Sequence, residues 1–306
     1  MKKKIFVTGS KGFLGSHLVS RLEQDGHLVD SPSSKEVNLF TEKNLNKIKK
    51  KYDEIYHLAA WTEAGDFCLK YPASQWIKNQ SINLNIVKWW KEKQRNAKFI
   101  FIGTSCCYDE KGTFLEKNYL NEKPHSSLAT YAMTKKILLQ AAIACELQYN
   151  MKWLSFVPST LYGINYLKNG KQNHFIFDLI RKILRGKFLR KKVTLWGDGN
   201  QKREIIHIKD FINNMILVNS ISKNNLYNIG AGKSYSIKHF AKIICKIINY
   251  DFKKIKFDKS RYVGARFKKL SIKKISKLNR NYSKDLTNLY DGLKEVVNWH
   301  IQNKRY

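Results

Sequence analysis

One short stretch limits this chain more than any other. Residues 4–8, Lys-Ile-Phe-Val-Thr, read as a buried strand, and Gly9, Gly12 and Gly15 follow at once, before an apolar-periodic helix through Leu14, Leu18 and Leu22. A glycine loop between a strand and a helix has a physical job. Gly9 permits the tight turn, Gly12 lets the backbone approach a pyrophosphate, and Gly15 lets the helix pack closely on the sheet. The helix start at Phe13 and Leu14 then offers unpaired N–H groups to the phosphates. Three glycines alone make only a turn; in this setting they predict a dinucleotide site.

The rest of the chain keeps the alternation. Strand signals recur at Gly26-His-Leu-Val, at Asp53-Glu-Ile-Tyr-His-Leu-Ala-Ala60 and at Ala97-Lys-Phe-Ile-Phe-Ile-Gly103. Residues 73–94 and 130–149 have helical character, and Trp153 to Val157 form an apolar run. Such alternation predicts an α/β fold, a doubly wound parallel (Rossmann) sheet. After residue 163 the pattern changes. A helix around Phe175–Leu189, the turn Trp196-Gly-Asp-Gly-Asn and a helix around residues 235–249 precede a lysine-rich stretch. We therefore expect a dinucleotide-binding domain over residues 1–163. A smaller C-terminal substrate-binding lobe covers 164–306, interleaved with the last sheet elements.

The 306 residues carry 57 Lys and Arg against 24 Asp and Glu, a formal charge of +33. The lysines are spread in short groups, with no basic tail and no zinc-finger or RNA-recognition pattern, so no specific nucleic-acid or membrane partner is expected. The field still draws in an anionic substrate such as a nucleotide diphosphate. Cys68, Cys106, Cys107, Cys145 and Cys245 show no paired spacing, which suggests reduced thiols in a cytoplasmic protein, with no metal site. No stretch approaches the length of a membrane span, and the apolar run after the first lysines is too short for a signal peptide.

Two further patterns bear on chemistry. Seven residues from Gly26 the second strand reaches Ser33, followed by Ser34 and Lys35. Hydroxyls and an ammonium suit a 2′-phosphate, with Lys11 assisting, so NADP(H) is preferred; NAD(H) remains possible if Asp30 takes the acidic role. Tyr131-Ala-Met-Thr-Lys135 puts a phenol and an ammonium on one helix face. The lysine charge lowers the phenol pKa, and the tyrosine can then exchange a proton with a carbinol oxygen while hydride moves at the carbon. Thr104 and Ser105 follow a strand end, where ligands sit in such sheets.

These segments together resemble the extended short-chain dehydrogenase/reductase family. Within it, they are similar to the GDP-L-fucose synthase branch. The resemblance runs through the glycine loop, His57-Leu-Ala-Ala60, Gly103-Thr-Ser-Cys-Cys-Tyr108, Tyr131 with Lys135, Pro158-Ser-Thr-Leu-Tyr-Gly163, Gln172-Asn-His174 and Trp196-Gly-Asp-Gly-Asn-Gln-Lys-Arg203-Glu204. It implies NADPH-dependent 3,5-epimerisation and 4-reduction of a nucleotide-linked 4-keto-6-deoxy sugar, GDP-linked in that branch, by a homodimer. Thr104 stands at the catalytic serine position, and Cys106 and His174 at the epimerising acid/base pair. Leu58, Ala59, Ala60 and Pro158 fall at cofactor positions. Ser105, Thr160, Lys182, Trp196, Arg203 and Lys268 fall at substrate positions, and Cys107 reads as packing. Thr160 replaces an asparagine, Leu154 an arginine, and residues 61–72 do not resemble the branch, so another 6-deoxyhexose or a heptose is open. The resemblance also leaves open a 4-ketoreductase without epimerisation, an NAD-dependent 4-epimerase, or a silent NAD(P)-binding protein. A dimer contact would involve the helices of residues 73–94 and 131–149, with the Trp89–Trp90 pair either there or in the core.

Overall fold

A computed structural model describes residues 1–62, 67–124, 128–166, 173–261 and 266–306. Residues 63–66 of the divergent 61–72 segment and Gln172 lie outside the described residues. In chain order the elements are β1 (Lys4–Thr8), α1 (Phe13–Gln24), β2 (Leu28–Asp30), α2 (Glu42–Asn46), β3 (Glu54–His57), α3 (Phe67–Lys70), α4 (Pro72–Lys93), β4 (Lys98–Ile102), α5 (Ala129–Tyr149), β5 (Trp153–Pro158), β6 (Thr160–Tyr162), α6 (Phe175–Phe188), β7 (Val193–Trp196), β8 (Lys202–Arg203), β9 (Ile205–His207), α7 (Ile208–Ile221), β10 (Asn225–Ile229), β11 (Tyr235–Ser236), α8 (Ile237–Ile247), β12 (Ile255–Asp258), α9 (Lys273–Leu278) and α10 (Leu289–Gln302).

The chain divides into two compact units. The first comprises Met1–Pro158 and Ile212–Ile229, so it stops ahead of the pattern change at residue 163 and takes back most of α7 with β10. Its six strands are ordered β10-β5-β4-β3-β1-β2, and every pairing is parallel. The strands inside the sheet are short and largely buried, as two-sided burial demands. The order reverses between β1 and β3, the switch point at which such sheets bind ligands outside their carboxyl ends.

Trp89 and Trp90 settle in this core, 2% and 0% exposed. Trp90 stacks on Phe99 of β4 at 4.7 Å and donates its indole N–H to the Ala97 carbonyl at 2.9 Å; Trp89 packs 5.1 Å from Phe6 of β1. The pair thus anchors α4 to the sheet and is no part of an outer surface. Helix α5 buries Ala132, Lys135, Leu138, Leu139 and Ala142 along one face and stops at Asn150, whose φ of 52° breaks the helical run.

The second unit comprises Ser159–Phe211 and Gly230–Tyr306. Three two-stranded ladders form it: β6 with β9, β7 with β12, and β8 with β11. Helices α6, α8 and α10 bury Ile180, Ile183, Phe240, Ile244, Val296 and Val297 between them. Among the described residues no helix is long and apolar enough to cross a membrane.

Candidate active site

The glycine loop sits at the switch point. Gly9 has φ +70°, and a Cβ there would lie 2.7 Å from the Ala59 nitrogen, just beyond β3. A Cβ on Gly15 would lie 2.2 Å from the Gly9 carbonyl oxygen and 2.8 Å from the Ser10 Cα. The loop and the start of α1 are therefore packed backbone on backbone. Gly12 caps α1 with no side-chain hydrogen bond, which leaves the first N–H groups of the helix available. A cradle without side chains at a helix N-terminus fits the pyrophosphate of a dinucleotide. Gly15→Ala has no flexible neighbour to displace. It is expected to cost about 1–3 kcal/mol of stability and to weaken dinucleotide binding, read by thermal unfolding and by NADPH titration.

The segment after β2 departs from the count. The strand ends at Asp30, three residues short of Ser33. Asp30 accepts the Tyr52 hydroxyl at 2.6 Å and the Lys50 ammonium at 3.0 Å, which outweigh its partial burial and hold its carboxyl below the usual range. That carboxylate is thus already engaged. Ser33 instead opens a turn in which the Glu36 carboxylate accepts its N–H at 2.7 Å. Lys11 acts on Glu36 electrostatically, while Ser34 and Lys35 are exposed. Glu36 was not visible as part of this site, because its contact arises only from the turn.

The carboxyl ends of β3 and β4 are neighbours, through the His57–Phe101 pairing. After β3 the Leu58 N–H bonds the Thr8 carbonyl at 3.3 Å, the Ala59 N–H bonds the Thr8 hydroxyl at 3.3 Å, and Ala60 leads on to Trp61. After β4 the chain makes a 3-10 turn over Ser105–Cys107. The Thr104 hydroxyl caps it by accepting the Cys106 N–H at 3.3 Å. Thr104, Ser105 and Cys106 are partly exposed, whereas Cys107 is fully buried and donates its thiol to the Ala132 carbonyl at 3.3 Å. That bond ties the turn to α5 beside Tyr131. Burial pushes the Cys107 thiol up to about 12, as befits a packing residue.

Lys135 is 4% exposed, with its ammonium 5.9 Å from the Tyr131 ring centroid. Burial pulls Lys135 down to about 8. Burial also pushes the Tyr131 phenol above its ordinary value, and the thiols of Cys106, Cys107 and Cys68 add to that rise. This reverses the expected lowering of the phenol by Lys135. Tyr131 keeps part of its surface open yet is crowded on its other sides, so desolvation of a phenolate outweighs the field of an ammonium at that range.

Beneath the pair runs a buried chain that the motifs did not disclose. The Thr8 hydroxyl meets His57 Nδ1 at 2.9 Å, His57 Nε2 meets Asn83 Oδ1 at 3.2 Å, and Asn83 donates to the Thr134 carbonyl at 3.2 Å. Burial drops His57 to about 3, with the Lys135 charge adding to it, so the imidazole stays neutral and donates from Nε2 to the amide oxygen. Asn79 and Asn83, four apart on α4 and both buried, were the available signal. Tyr119 is a second missed residue. Its hydroxyl accepts the Thr104 N–H at 3.2 Å from across a loop, which no local pattern reveals.

Pro158 ends β5 at the edge of the first unit. The remaining predicted residues belong to the second. His174 is exposed at the start of α6, 6.3 Å from the Tyr166 ring. Lys182 lies 5.4 Å over the half-exposed Trp196 ring and pairs with Asp178 at 2.9 Å. Arg261, unsuspected, lies 5.8 Å from the same ring. The backbone segments that carry Thr160, Arg203 and Lys268 adjoin one another: the Thr160 N–H bonds the Glu204 carbonyl at 3.3 Å, and Lys202 bridges to Phe267. Cys106 is in the first unit and His174 in the second.

Comparison with known proteins agrees with this layout. Residues 5–230 match the family model for the NAD dependent epimerase/dehydratase family. GDP-L-colitose synthase of Yersinia pseudotuberculosis is 26% identical, across 98% of this chain and 99% of its own. GDP-L-fucose synthase of Escherichia coli K12 is 25% identical, across 99% and 98%. The crystal structure of a GDP-L-fucose synthetase from Naegleria fowleri bound to NADP superposes with a TM-score of 0.85 at 20% identity, covering 99% of this chain and 96% of that one. With a glycine cradle at the switch point and a tyrosine–lysine pair beside it, the chain belongs to the NAD dependent epimerase/dehydratase family and is a sugar-nucleotide oxidoreductase/epimerase.

Proposed function

We propose that the chain is an NADPH-dependent 3,5-epimerase/4-reductase of a GDP-linked 4-keto-6-deoxy sugar. The observation that carries this reading is the bonding of the Thr104–Cys107 turn onto α5. It sets a hydroxyl, a thiol and the Tyr131–Lys135 pair at one end of the sheet. The names of the fucose and colitose synthases support the GDP-sugar class.

The nicotinamide, when bound, supplies hydride to C4. Tyr131 hands its hydroxyl proton to O4, and the Lys135 ammonium steadies the phenolate left behind. The Thr104 hydroxyl donates to O4 and holds the ketone in place. A 4-ketone acidifies the protons at C3 and C5. In this reading the Cys106 sulfur removes such a proton from one face and His174 returns one to the other. Lys11 and Lys35, with the hydroxyls of Ser33 and Ser34, favour the 2′-phosphate of NADP(H), since Asp30 is engaged by Tyr52 and Lys50. Arg203 and Lys268 hold the diphosphate, and Thr160, Lys182, Trp196 and Ser105 contact the remaining substrate. A homodimer through α4 and α5 accords with their exposed Ile77, Leu84, Met133, Ile137 and Leu147.

The test is incubation with GDP-4-keto-6-deoxymannose and NADPH in deuterated water, followed by NMR of the product. Deuterium at both C3 and C5 with NADPH consumption, above an enzyme-free control, supports the bifunctional reading. Reduction without label would leave a 4-ketoreductase. No turnover of this sugar would defeat the 6-deoxyhexose assignment.

A further inference from the structure

Glu204 lies where β8 passes into β9 and is 3% exposed. One of its carboxylate oxygens accepts the Gly232 N–H at 2.6 Å, and the other accepts the Leu270 N–H at 2.7 Å. Its backbone carbonyl accepts the Thr160 N–H at 3.3 Å. The joined segments thus include Thr160, Arg203 and, two positions before Leu270, Lys268. Nothing separates the carboxylate from the chain at Gly230, where a Cβ would lie 2.6 Å from its oxygen. Tyr282, 0% exposed, closes the cluster by donating its hydroxyl to the Gly230 carbonyl at 2.6 Å.

The residue type is informative. Burying a carboxylate is costly, and a glutamine of the same length is far cheaper to bury. A glutamine, however, has a single acceptor oxygen, and its NH₂ would face the second N–H group. Accepting from Gly232 and Leu270 at full strength favours the ionised carboxylate, because protonation turns one of its oxygens into a donor and a poorer acceptor.

We propose that Glu204 is the positioning residue of the nucleotide-diphosphate site: its carboxylate clamps the Gly232 and Leu270 segments, the latter carrying Lys268, to the strand of Arg203, and it loosens that hold when it takes up a proton. The proposal rests on the assignment of Arg203 and Lys268 to the diphosphate made above. Burial pushes the Glu204 carboxyl up to about 7, against the opposing pull of the Leu270 and Gly232 N–H groups, of Lys269 and of the Ala231 N–H. The other ionisable groups around it are the Tyr282 phenol, with Asp210 acting on that phenol from beyond, and the flanking Arg203 and Lys268. Above about 7 the ionised form accepts both N–H groups. The protonated form turns one of the two oxygens into a hydroxyl, a poorer acceptor, so one of the two bonds is weakened. Affinity for the nucleotide sugar is therefore full above this range and falls as pH drops through it.

GDP-mannose is the probe, because its diphosphate does not titrate near neutrality. By calorimetry, wild-type affinity is expected to weaken about five- to tenfold from pH 8 to pH 6. Glu204→Gln should hold the weak value at both pH values, with KM raised at pH 8, kcat nearly unchanged, and NADP⁺ affinity within about twofold of wild type. A wild-type pH slope retained by Glu204→Gln, or a loss confined to kcat, would overturn the proposal. Arg203→Ala separates it from its premise. Weakening by Arg203→Ala without any effect of Glu204→Gln overturns Glu204 alone, and no effect of Arg203→Ala overturns the diphosphate assignment with it. A carboxyl NMR titration of the wild-type chain gives a reading that needs no variant to fold. Linkage requires GDP-mannose to lower the Glu204 midpoint, and an unmoved or raised midpoint refutes the clamp.

Discussion

Replacing Tyr131 by phenylalanine lowers kcat for 4-keto reduction by about 10²- to 10⁴-fold, the usual worth of a positioned general acid. The ring is conserved in this change, and the bond from the Thr134 hydroxyl goes to the Tyr131 backbone carbonyl at 2.7 Å, so the start of α5 is unaltered. NADPH affinity should therefore stay within a few-fold of wild type. The pH profile carries a second signature of the pair. Lys135 is lowered from 10.5 to about 8, so it is charged below that value and discharges above it, well before an exposed lysine would. Its charge is what steadies the developing phenolate. Wild-type kcat for reduction should accordingly fall about tenfold per pH unit above the Lys135 midpoint. Stopped-flow absorbance of NADPH at saturating substrate reads both effects. Substantial turnover by Tyr131→Phe, or a flat profile through the alkaline range, would remove Tyr131 and Lys135 from the proton path.

Cys106→Ser should abolish the deuterium label at C3 and C5, with a loss of about 10²-fold or more in exchange rate. A hydroxyl has almost the same shape as a thiol but is a far weaker acid and gives up its proton reluctantly at neutral pH. The backbone of the turn is held by Thr104, Tyr119 and Cys107, so the geometry of the turn should survive. Direct reduction of a substrate already of the product configuration at C3 and C5 should then continue near the wild-type rate. Equal label with serine at 106 would assign the exchange to another base. Cys107→Ser gives the contrast: it disturbs packing on α5 and is expected to lower stability while leaving the label pattern intact.

Much of the first unit was legible in the sequence because its signals are local. A strand that runs into Gly9, Gly12 and Gly15, a helix that opens with Tyr131 and Lys135, and alternating strand and helix patterns each follow from neighbouring residues. The parallel sheet follows from that alternation. The point at which the second strand ends was misjudged, since β2 stops at Asp30 and not at Ser33. A residue count cannot see that Tyr52 and Lys50, from elsewhere in the chain, bond the Asp30 carboxylate at that strand end. The ambiguity over Trp89 and Trp90 had the same origin. Two tryptophans on an amphipathic helix suit a core or an interface equally, and packing against Phe6 and Phe99 decided for the core.

The sequence by itself determined the kind of cofactor site, the helix that opens with Tyr131 and Lys135, and the order of elements, since these depend on residue type and short spacing. Only the tertiary structure decided the electrostatics and the supports. That Tyr131 is raised rather than lowered, that His57 is neutral and bonded to Asn83, and that Glu204 joins three segments of the second unit all depend on distances between residues far apart in the chain. Desolvation and hydrogen bonding act over a few ångströms of space. A sequence records such neighbours only when the chain itself places them side by side.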